Sequence, residues 1–243
     1  MPTHADQLKL LDLQSLDTAA QQAGHARKTH PTLARLEDLD ARLADLDASL
    51  AESRITASDL KRDLTRAEDS VATVVARAER EQQRIDYGGL SHKDTLALSE
   101  DLAALGKRRE ILENEQLEVM ERLEAHNDAL AALEDAREEL ASERDAVEAE
   151  RDAAFDEIDA RRASLVAECR QIAAGIDPDL MKTYKQIRER KGGVAVAALD
   201  SGCCTGCSME LNPADIAELR AAPLDKVVRC EECGRILVRL KEL

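Results

Sequence analysis

Apolar residues recur at alternating spacings of three and four along a first stretch that begins at Leu36. Thirteen of its fifteen positions are apolar, which is typical of a coiled-coil seam and predicts one long helix. The positions are Leu36, Leu39, Leu43, Leu46, Leu50, Ser53, Ala57, Leu60, Leu64, Ala67, Val71, Val74, Ala78, Glu81 and Ile85.

A second stretch of the same period begins at Leu98 and weakens after Ile158. It predicts a second long helix, although several of its positions are cationic. The positions are Leu98, Leu102, Leu105, Arg109, Leu112, Gln116, Val119, Leu123, His126, Leu130, Leu133, Arg137, Leu140, Arg144, Val147, Arg151, Ala154 and Ile158.

Between the two stretches, residues 87–91 read Tyr-Gly-Gly-Leu-Ser, and paired glycines can reverse a chain where a helix cannot continue. We therefore predict an antiparallel coiled-coil hairpin with its tip near residues 87–91. One continuous helix that dimerises is the alternative, and the double glycine disfavours it. Reflection about the tip places Arg109 opposite Glu68 and Arg137 opposite Asp40.

The second arm is longer than the part of the first arm that starts at Leu36. Residues 5–28, with Leu8, Leu11 and Leu16, predict a separate helix that covers the extra length. Pro31 would break or kink the chain after this helix. We assign residues 1–176 to this N-terminal helix and the hairpin.

Asp177-Pro178 is typical of a helix start, so residues 177–193 predict a short basic neck helix that stops at Gly192-Gly193. Residues 194–243 form the third predicted segment. There, Val194–Leu199 and Arg235–Leu240 have the pattern of strands, and a short helix begins at Asn212-Pro213 and ends before Pro223.

Two Cys-x-x-Cys pairs, Cys204 with Cys207 and Cys230 with Cys233, are separated by 22 residues in this last segment. Two such turns supply the tetrahedral thiolate shell of a structural zinc ion, with no position left for substrate. The alternatives are two disulfides and a redox Cys-x-x-Cys. Cys203 falls outside the spacing, and its role is left open.

Composition restricts the function classes that fit. The chain has one Phe, two Tyr and no Trp, with 35% charged residues, so a wide globular core is hard to build. High charge also fits disorder, but the apolar period favours helix. With no signal peptide or membrane-spanning stretch in the sequence, we expect a cytoplasmic location and no membrane partner.

The formal charge of −16 is uneven, because residues 1–180 hold 23 basic and 41 acidic groups. Residues 181–199 hold five basic groups and one acidic group, so only the neck could attract a polyanion. The alternative for this neck is an ordinary solvated helix face.

The order of these parts, a coiled-coil hairpin, a basic neck ending in GGVAVAAL, then C-x-G-C and C-x-x-C-G-R-I-L, resembles the bacterial C4-type zinc-ribbon, coiled-coil family. The family usually has Tyr where this chain has Val238. The resemblance implies zinc ligation by Cys204, Cys207, Cys230 and Cys233. It also implies an adaptor or chaperone for protein partners in flagellar or secretion-related regulation, where some members bind an alternative sigma factor or messenger RNA.

We expect a non-enzymatic adaptor or chaperone-like regulator that binds proteins through the coiled coil, with one structural zinc and no small-molecule substrate. The alternative is an RNA- or DNA-binding protein that uses the neck and ribbon. The candidate contacts for either ligand are Lys182, Tyr184, Lys185, Arg188, Arg190, Lys191, Arg229, Arg235 and Arg239, with Lys241 beside them.

Overall fold

The computed structural model describes residues 2–240, which form five helices and a small four-stranded sheet. The fold is mainly α, as predicted, with a long helical hairpin and a C-terminal ribbon. The helices are α1 (His4–Lys28), α2 (Pro31–Tyr87), α3 (His92–Ala174), α4 (Pro178–Arg190) and α5 (Pro213–Ala221). The strands are β1 (Val196–Asp200), β2 (Cys203–Cys204), β3 (Val228–Arg229) and β4 (Ile236–Arg239).

The chain divides into two compact units. The hairpin unit comprises Arg35–Val147, which holds most of α2 and the first two thirds of α3. The ribbon unit combines Met1–Ala34 with Glu148–Leu243 and therefore contains α1, the end of α3, α4 and the sheet.

The hairpin unit turns at the paired glycines. Gly88 and Gly89 have φ of 76° and 84°, the left-handed region that glycine adopts without penalty. Ser91 then caps α3, because its hydroxyl accepts the Asp94 N–H at 3.2 Å and donates to the Asp94 carboxylate at 2.7 Å. The chain thus reverses within four residues between Tyr87 and His92.

Within the hairpin unit, both apolar seams lie at the interface of the two arms. All fifteen positions of the first seam are buried or half-buried, including its two polar members, Ser53 and Glu81. In the second seam, only Arg109 and Arg137 are exposed. The best-buried cluster of the unit joins Leu36 and Leu39 of α2 to Leu140 and Val147 of α3. The seam periodicity therefore identified the core of the hairpin unit.

The cross-arm pairing that reflection suggested is wrong. Arg137 donates to Asp47 at 2.6 Å, whereas Asp40 accepts from Arg144 at 3.0 Å. Arg109 pairs with Glu113 of its own helix at 2.7 Å and does not pair with Glu68.

The reason is the direction in which helical side chains lean. Side chains in an α-helix point toward the N-terminus of their own helix. In α3 that direction is toward the tip, so a long arginine reaches acceptors nearer the tip than its Cα position suggests. Arg137 accordingly contacts Asp47, one heptad closer to the tip than Asp40.

In the ribbon unit, α1 packs beside the end of α3 and beside α4. Leu10 and Leu13 of α1 lie in one core with Ile176, Leu180 and Ile187. At the other end of α1, the Arg27 guanidinium donates to Asp159 at 3.1 Å and lies 4.3 Å from the Phe155 ring centroid. The segment predicted as a separate covering helix forms α1, and α2 begins at Pro31.

The sheet has the strand order β2-β1-β4-β3, with β1 and β4 parallel. Its two faces belong to different cores. Val196, Ile236 and Val238 face the helical core of α1, α3 and α4. Ala197 and Leu237 face a second core that contains Cys204 and Cys230. The sheet therefore connects the helices of this unit to the cysteine site.

Candidate metal centre

The two Cys-x-x-Cys segments fold into matching turns. The Ser208 N–H donates to the Cys204 carbonyl at 2.8 Å, and the Gly234 N–H donates to the Cys230 carbonyl at 2.7 Å. Ser208 and Gly234 both have positive φ, of 58° and 73°. Each turn aims its two thiols to the same side, which is the local geometry of a zinc knuckle. Glycine adopts this conformation readily. Sequence reasoning missed Ser208, because serine carries no signal for this conformation.

The four sulfur atoms of Cys204, Cys207, Cys230 and Cys233 lie within 4.8 Å of one another. The Cys204 and Cys233 sulfurs are 4.0 Å apart, and those of Cys207 and Cys230 are 3.9 Å apart. Tetrahedral zinc with bonds near 2.3 Å requires sulfur separations of about 3.8 Å. The thiol set and its spacing fit one structural zinc ion, and these four residues hold it.

Burial and hydrogen bonding shift the pKa values of three of the thiols. Burial raises the pKa of Cys204 to about 12, although the Gly206 and Cys207 N–H groups act against it. Burial also raises the pKa of Cys230. At Cys233 burial is outweighed by hydrogen bonds from Arg235 and Cys230, and the pKa falls to about 7. Zinc binds thiolates, so loading at neutral pH displaces protons and the affinity rises with pH.

Arg235 holds the first knuckle in place. Its guanidinium donates to the Gly206 carbonyl at 2.8 Å and to the Val194 carbonyl at 3.0 Å. Gly206 is itself tightly enclosed, since an added Cβ would lie 2.8 Å from the Ala197 Cβ. Arg235 therefore fixes the site, and the proposal that it contacts a ligand directly has no support in its hydrogen bonds.

Two further candidate contacts, one buried and one half-buried, are engaged with α1. Tyr184 is 1% exposed, and its hydroxyl donates to Asp17 of α1 at 2.7 Å. Arg188 reaches the same carboxylate at 3.3 Å. The prediction that Tyr184 contacts a nucleic acid or a protein partner is wrong, because the ring belongs to the helical core.

Arg239 is the second correction. It is 2% exposed, and its guanidinium donates to the carbonyls of Leu219, Ala222 and Pro223 at 2.6–2.8 Å. It cannot contact an external ligand. The candidate contacts that remain exposed are Lys182, Lys185, Arg190, Lys191 and Arg229. Lys241 lies outside the described residues.

Sequence reasoning missed the residues of α1 that bind the ribbon. Gln14 accepts the Ala195 N–H at 2.7 Å and donates to the Gly193 carbonyl at 2.9 Å. Gln7 donates to the carbonyls of Leu224 and Asp225 at 3.1 Å. These partners are more than 170 positions apart along the chain, so no local pattern points to them. Cys203 lies on β2 and is not a member of the thiol cluster.

Within residues 2–240, no helix combines the length and apolarity that crossing a membrane requires.

A coiled-coil hairpin joined to a four-thiol ribbon defines a recognised class of protein, and comparison with known proteins identifies its members. Residues 13–192 match the CT398-like coiled coil hairpin domain, and residues 203–237 match the C4-type zinc ribbon domain. The chain belongs to the CT398-like coiled-coil hairpin family with a C4-type zinc ribbon.

Similar proteins cover nearly the whole chain. The uncharacterized protein Rv2229c of Mycobacterium tuberculosis is 32% identical over 98% of this chain and 96% of its own length. A solved structure from Mycobacterium smegmatis has a TM-score of 0.86 at 29% identity, covering 99% of this chain and all of its own. CT398 from Chlamydia trachomatis has a TM-score of 0.67 at 22% identity, covering 97% of this chain and 98% of its own, and shares the fold.

Proposed function

We propose that this protein is a non-enzymatic adaptor that binds a protein partner at the tip of its coiled-coil hairpin. The observation that carries the proposal is the exposure of Tyr87, which is 93% accessible at the end of α2. The other aromatic side chains of the chain are engaged, Tyr184 in the helical core and Phe155 beneath Arg27. A solvent-exposed tyrosine in a chain with so few aromatic residues is a suitable contact residue for a partner to bury.

The surroundings of Tyr87 support the same assignment. A groove of about 480 Å³ is lined by Tyr87, Leu90, Gln83, Arg80 and Arg84. Within the described part of the chain, neither Arg80 nor Arg84 forms an ion pair, whereas Arg77 pairs with Glu81 at 2.8 Å. Tyrosine and arginine are the side chains most enriched at the energetic centres of protein interfaces.

Charge also distinguishes the tip from the rest of the hairpin unit. Residues 76–110 carry seven basic and seven acidic groups, and the remaining residues of the unit carry nine basic and 22 acidic groups. Like-charge repulsion disfavours acidic partners along most of the hairpin. The tip has no net charge and places unpaired arginines beside an aromatic ring. It is therefore the part of the hairpin unit best suited to bind a protein partner.

The absence of catalysis is part of the proposal. Four thiolates complete a tetrahedral shell, which leaves zinc no open position for water or substrate. Reduced thiols of this kind persist in a reducing compartment, which favours the cytoplasm as the location.

The nucleic-acid alternative is weakened because two of its candidate contacts, Tyr184 and Arg239, are buried. Single-stranded nucleic acids are bound by aromatic stacking beside a cationic groove, and the ribbon unit exposes no tyrosine for stacking in its described residues. A salt series of RNA and DNA binding tests this alternative. Micromolar binding that weakens steeply with salt would favour it over the adaptor.

The adaptor is tested by site-specific photo-crosslinking in host cells. Benzoylphenylalanine replaces Tyr87 in one protein and Ile55, an exposed apolar residue of α2 outside the tip segment, in the control. We expect a discrete protein adduct from position 87 that is absent from position 55. The adduct should disappear when Arg80→Glu and Arg84→Glu are added. Equal adducts from both positions, or none from position 87, would overturn the assignment.

A further inference from the structure

A second concave surface lies in the ribbon unit, where α3 ends and α4 begins. It is a groove of about 620 Å³, which we name the α3–α4 groove. Its floor is apolar and includes Ala173, Ile176, Pro178 and Met181. Ile176 and Met181 also belong to or pack on the helical core, so the floor is held by the fold. The volume lies within the range of ligand and peptide pockets.

Three cations line the same groove, Arg170 of α3 with Lys182 and Lys185 of α4. All three are exposed, and none forms an ion pair with any described residue. The next basic residue of α4, Arg188, turns inward to Asp17 at 3.3 Å. The cap residue Asp177 is engaged with the N–H groups of Asp179 and Leu180 at 3.0 and 3.1 Å. The groove therefore combines an apolar floor with uncompensated positive charge.

We propose that the α3–α4 groove is a second docking site, which binds an acidic amphipathic segment of a partner protein. The segment places an apolar side chain on the floor and its carboxylates beside Arg170, Lys182 and Lys185. Buried apolar area supplies the binding free energy, and the cations select an acidic sequence. With the tip as the first site, the second site lets one chain hold two partners.

The apolar floor favours a peptide over a nucleic acid. Phosphates would contact the cations but would leave the Ile176 and Met181 surface against water. A nucleic acid would also require a stacking partner for its bases, and Tyr184, the aromatic side chain of α4, is buried. A peptide with both acidic and apolar side chains matches both features of the groove.

The test uses the full-length zinc-loaded protein and a fluorescein-labelled helical peptide with leucines along one face and glutamates along the other. A matched peptide carries glutamines in place of the glutamates. We expect saturable binding of the acidic peptide, with the glutamine peptide weaker by roughly tenfold or more. No saturable binding of the acidic peptide would overturn the proposal.

Two variants locate the binding site. Lys182→Glu with Lys185→Glu should lower the affinity for the acidic peptide by roughly tenfold or more. Met181→Asp should lower the same affinity although it removes no cation. The control, Lys61→Glu with Lys107→Glu, changes two exposed lysines of the hairpin unit by the same charge. Equal losses in the control would mean that net charge, and not the groove, determines the affinity.

Two further outcomes would reassign the groove. RNA binding abolished by the α4 variants, without peptide binding, would identify a nucleic-acid site. Self-association in sedimentation that the same variants abolish would identify a second copy of this chain as the occupant. The two proposals can fail independently, because the tip and the groove use different residues. Absence of peptide binding at the groove would leave the tip adaptor intact, and Arg80→Glu with Arg84→Glu should leave peptide binding at the groove unchanged.

Discussion

The buried guanidinium of Arg239 binds the carbonyl groups at the C-terminus of the short helix α5. A helix leaves its last carbonyls without partners inside the helix. Arg239 donates to three carbonyls at the end of α5 and just after it, those of Leu219, Ala222 and Pro223. The positive charge also lies where the helix dipole is negative. A cation that looks like a surface contact in the sequence therefore stabilises the ribbon from within.

Replacing Arg239 by methionine should destabilise the ribbon by about 3 kcal/mol, because buried carbonyls lose charged donors. The release of zinc to a chromogenic chelator during urea unfolding measures the change. Arg239→Lys should recover only part of the loss, since lysine lacks the planar fork. Arg229→Met, at an exposed residue of β3, is the control and should change stability by less than about 0.5 kcal/mol. Similar losses in Arg229→Met and Arg239→Met would refute the role.

Asp17 shows how one residue of α1 can organise residues far away in sequence. Its carboxylate is 16% exposed and accepts from the Tyr184 hydroxyl at 2.7 Å, while Arg188 lies 3.3 Å away. Burial, followed by the hydrogen bond to Asp17, raises the pKa of Tyr184, so the phenol stays protonated and remains a donor. The carboxylate thus accepts one hydrogen bond from α4 and forms one ion pair with it, at the edge of an apolar core.

At the scale of elements, the hairpin is determined by two local features, a three-four apolar period and a pair of glycines. The period fixes which face of each helix is buried, and all fifteen positions of the first seam obey it. The glycines fix where the helix stops. Register is the weaker determinant, because seam residues of similar type repeat and long arginines reach across more than one turn.

Alanine substitution at glycines separates backbone conformation from packing. Gly88 and Gly89 have positive φ and nothing within 4 Å of an added Cβ, so their substitution is penalised only by backbone strain. We expect Gly88→Ala to lower the free energy of unfolding by about 1 kcal/mol.

Gly106, inside α3 with an equally open position, is the matched control. Gly106→Ala should raise the free energy of unfolding by about 1 kcal/mol, because alanine is the better helix former. Urea unfolding followed by circular dichroism at 222 nm measures both variants. A shift of the same sign in the two proteins would contradict the assigned turn.

At the scale of the ribbon unit, the two faces of the sheet couple the zinc to the helices. Leu237 packs with Cys204 and Cys230, and its neighbours Ile236 and Val238 pack with Leu10 and Leu13 of α1. Structural zinc contributes folding free energy directly, on the order of 10 kcal/mol. The metal therefore stabilises the sheet and, through the sheet, the docking of α1 and α4.

Zinc removal should accordingly have a bounded effect. After chelation we expect fast amide hydrogen exchange throughout the sheet and α5, reduced protection of α1 and α4, and unchanged protection of residues 35–147. Cys204→Ser should reproduce this pattern, and Cys203→Ser, at the adjacent thiol outside the cluster, should not. Loss of protection throughout the hairpin unit after chelation would show that the zinc stabilises more than the ribbon unit.

The sequence by itself determined the hairpin arms, their turn, the starts of α4 and α5, and the four zinc ligands. These features depend on residues close together in the chain, or on cysteine spacing that few structures other than a zinc site satisfy. The pattern Asp177-Pro178 predicts a helix start because a cap acts within one turn, and the Asp177 carboxylate accepts the N–H groups of Asp179 and Leu180.

Only the tertiary structure decided the side-chain pairing across the hairpin. It also decided which groups Tyr184, Arg188 and Arg239 contact inside the ribbon unit. Charge and residue type mark such side chains as solvent-exposed, whereas their partners come from segments distant in the sequence. Asp17 lies 167 positions before Tyr184, and the backbone acceptors of Arg239 are gathered only when α5 folds over the sheet. The tertiary structure also brought Arg170 beside Lys182 and Lys185, since α3 and α4 meet in space to form one groove.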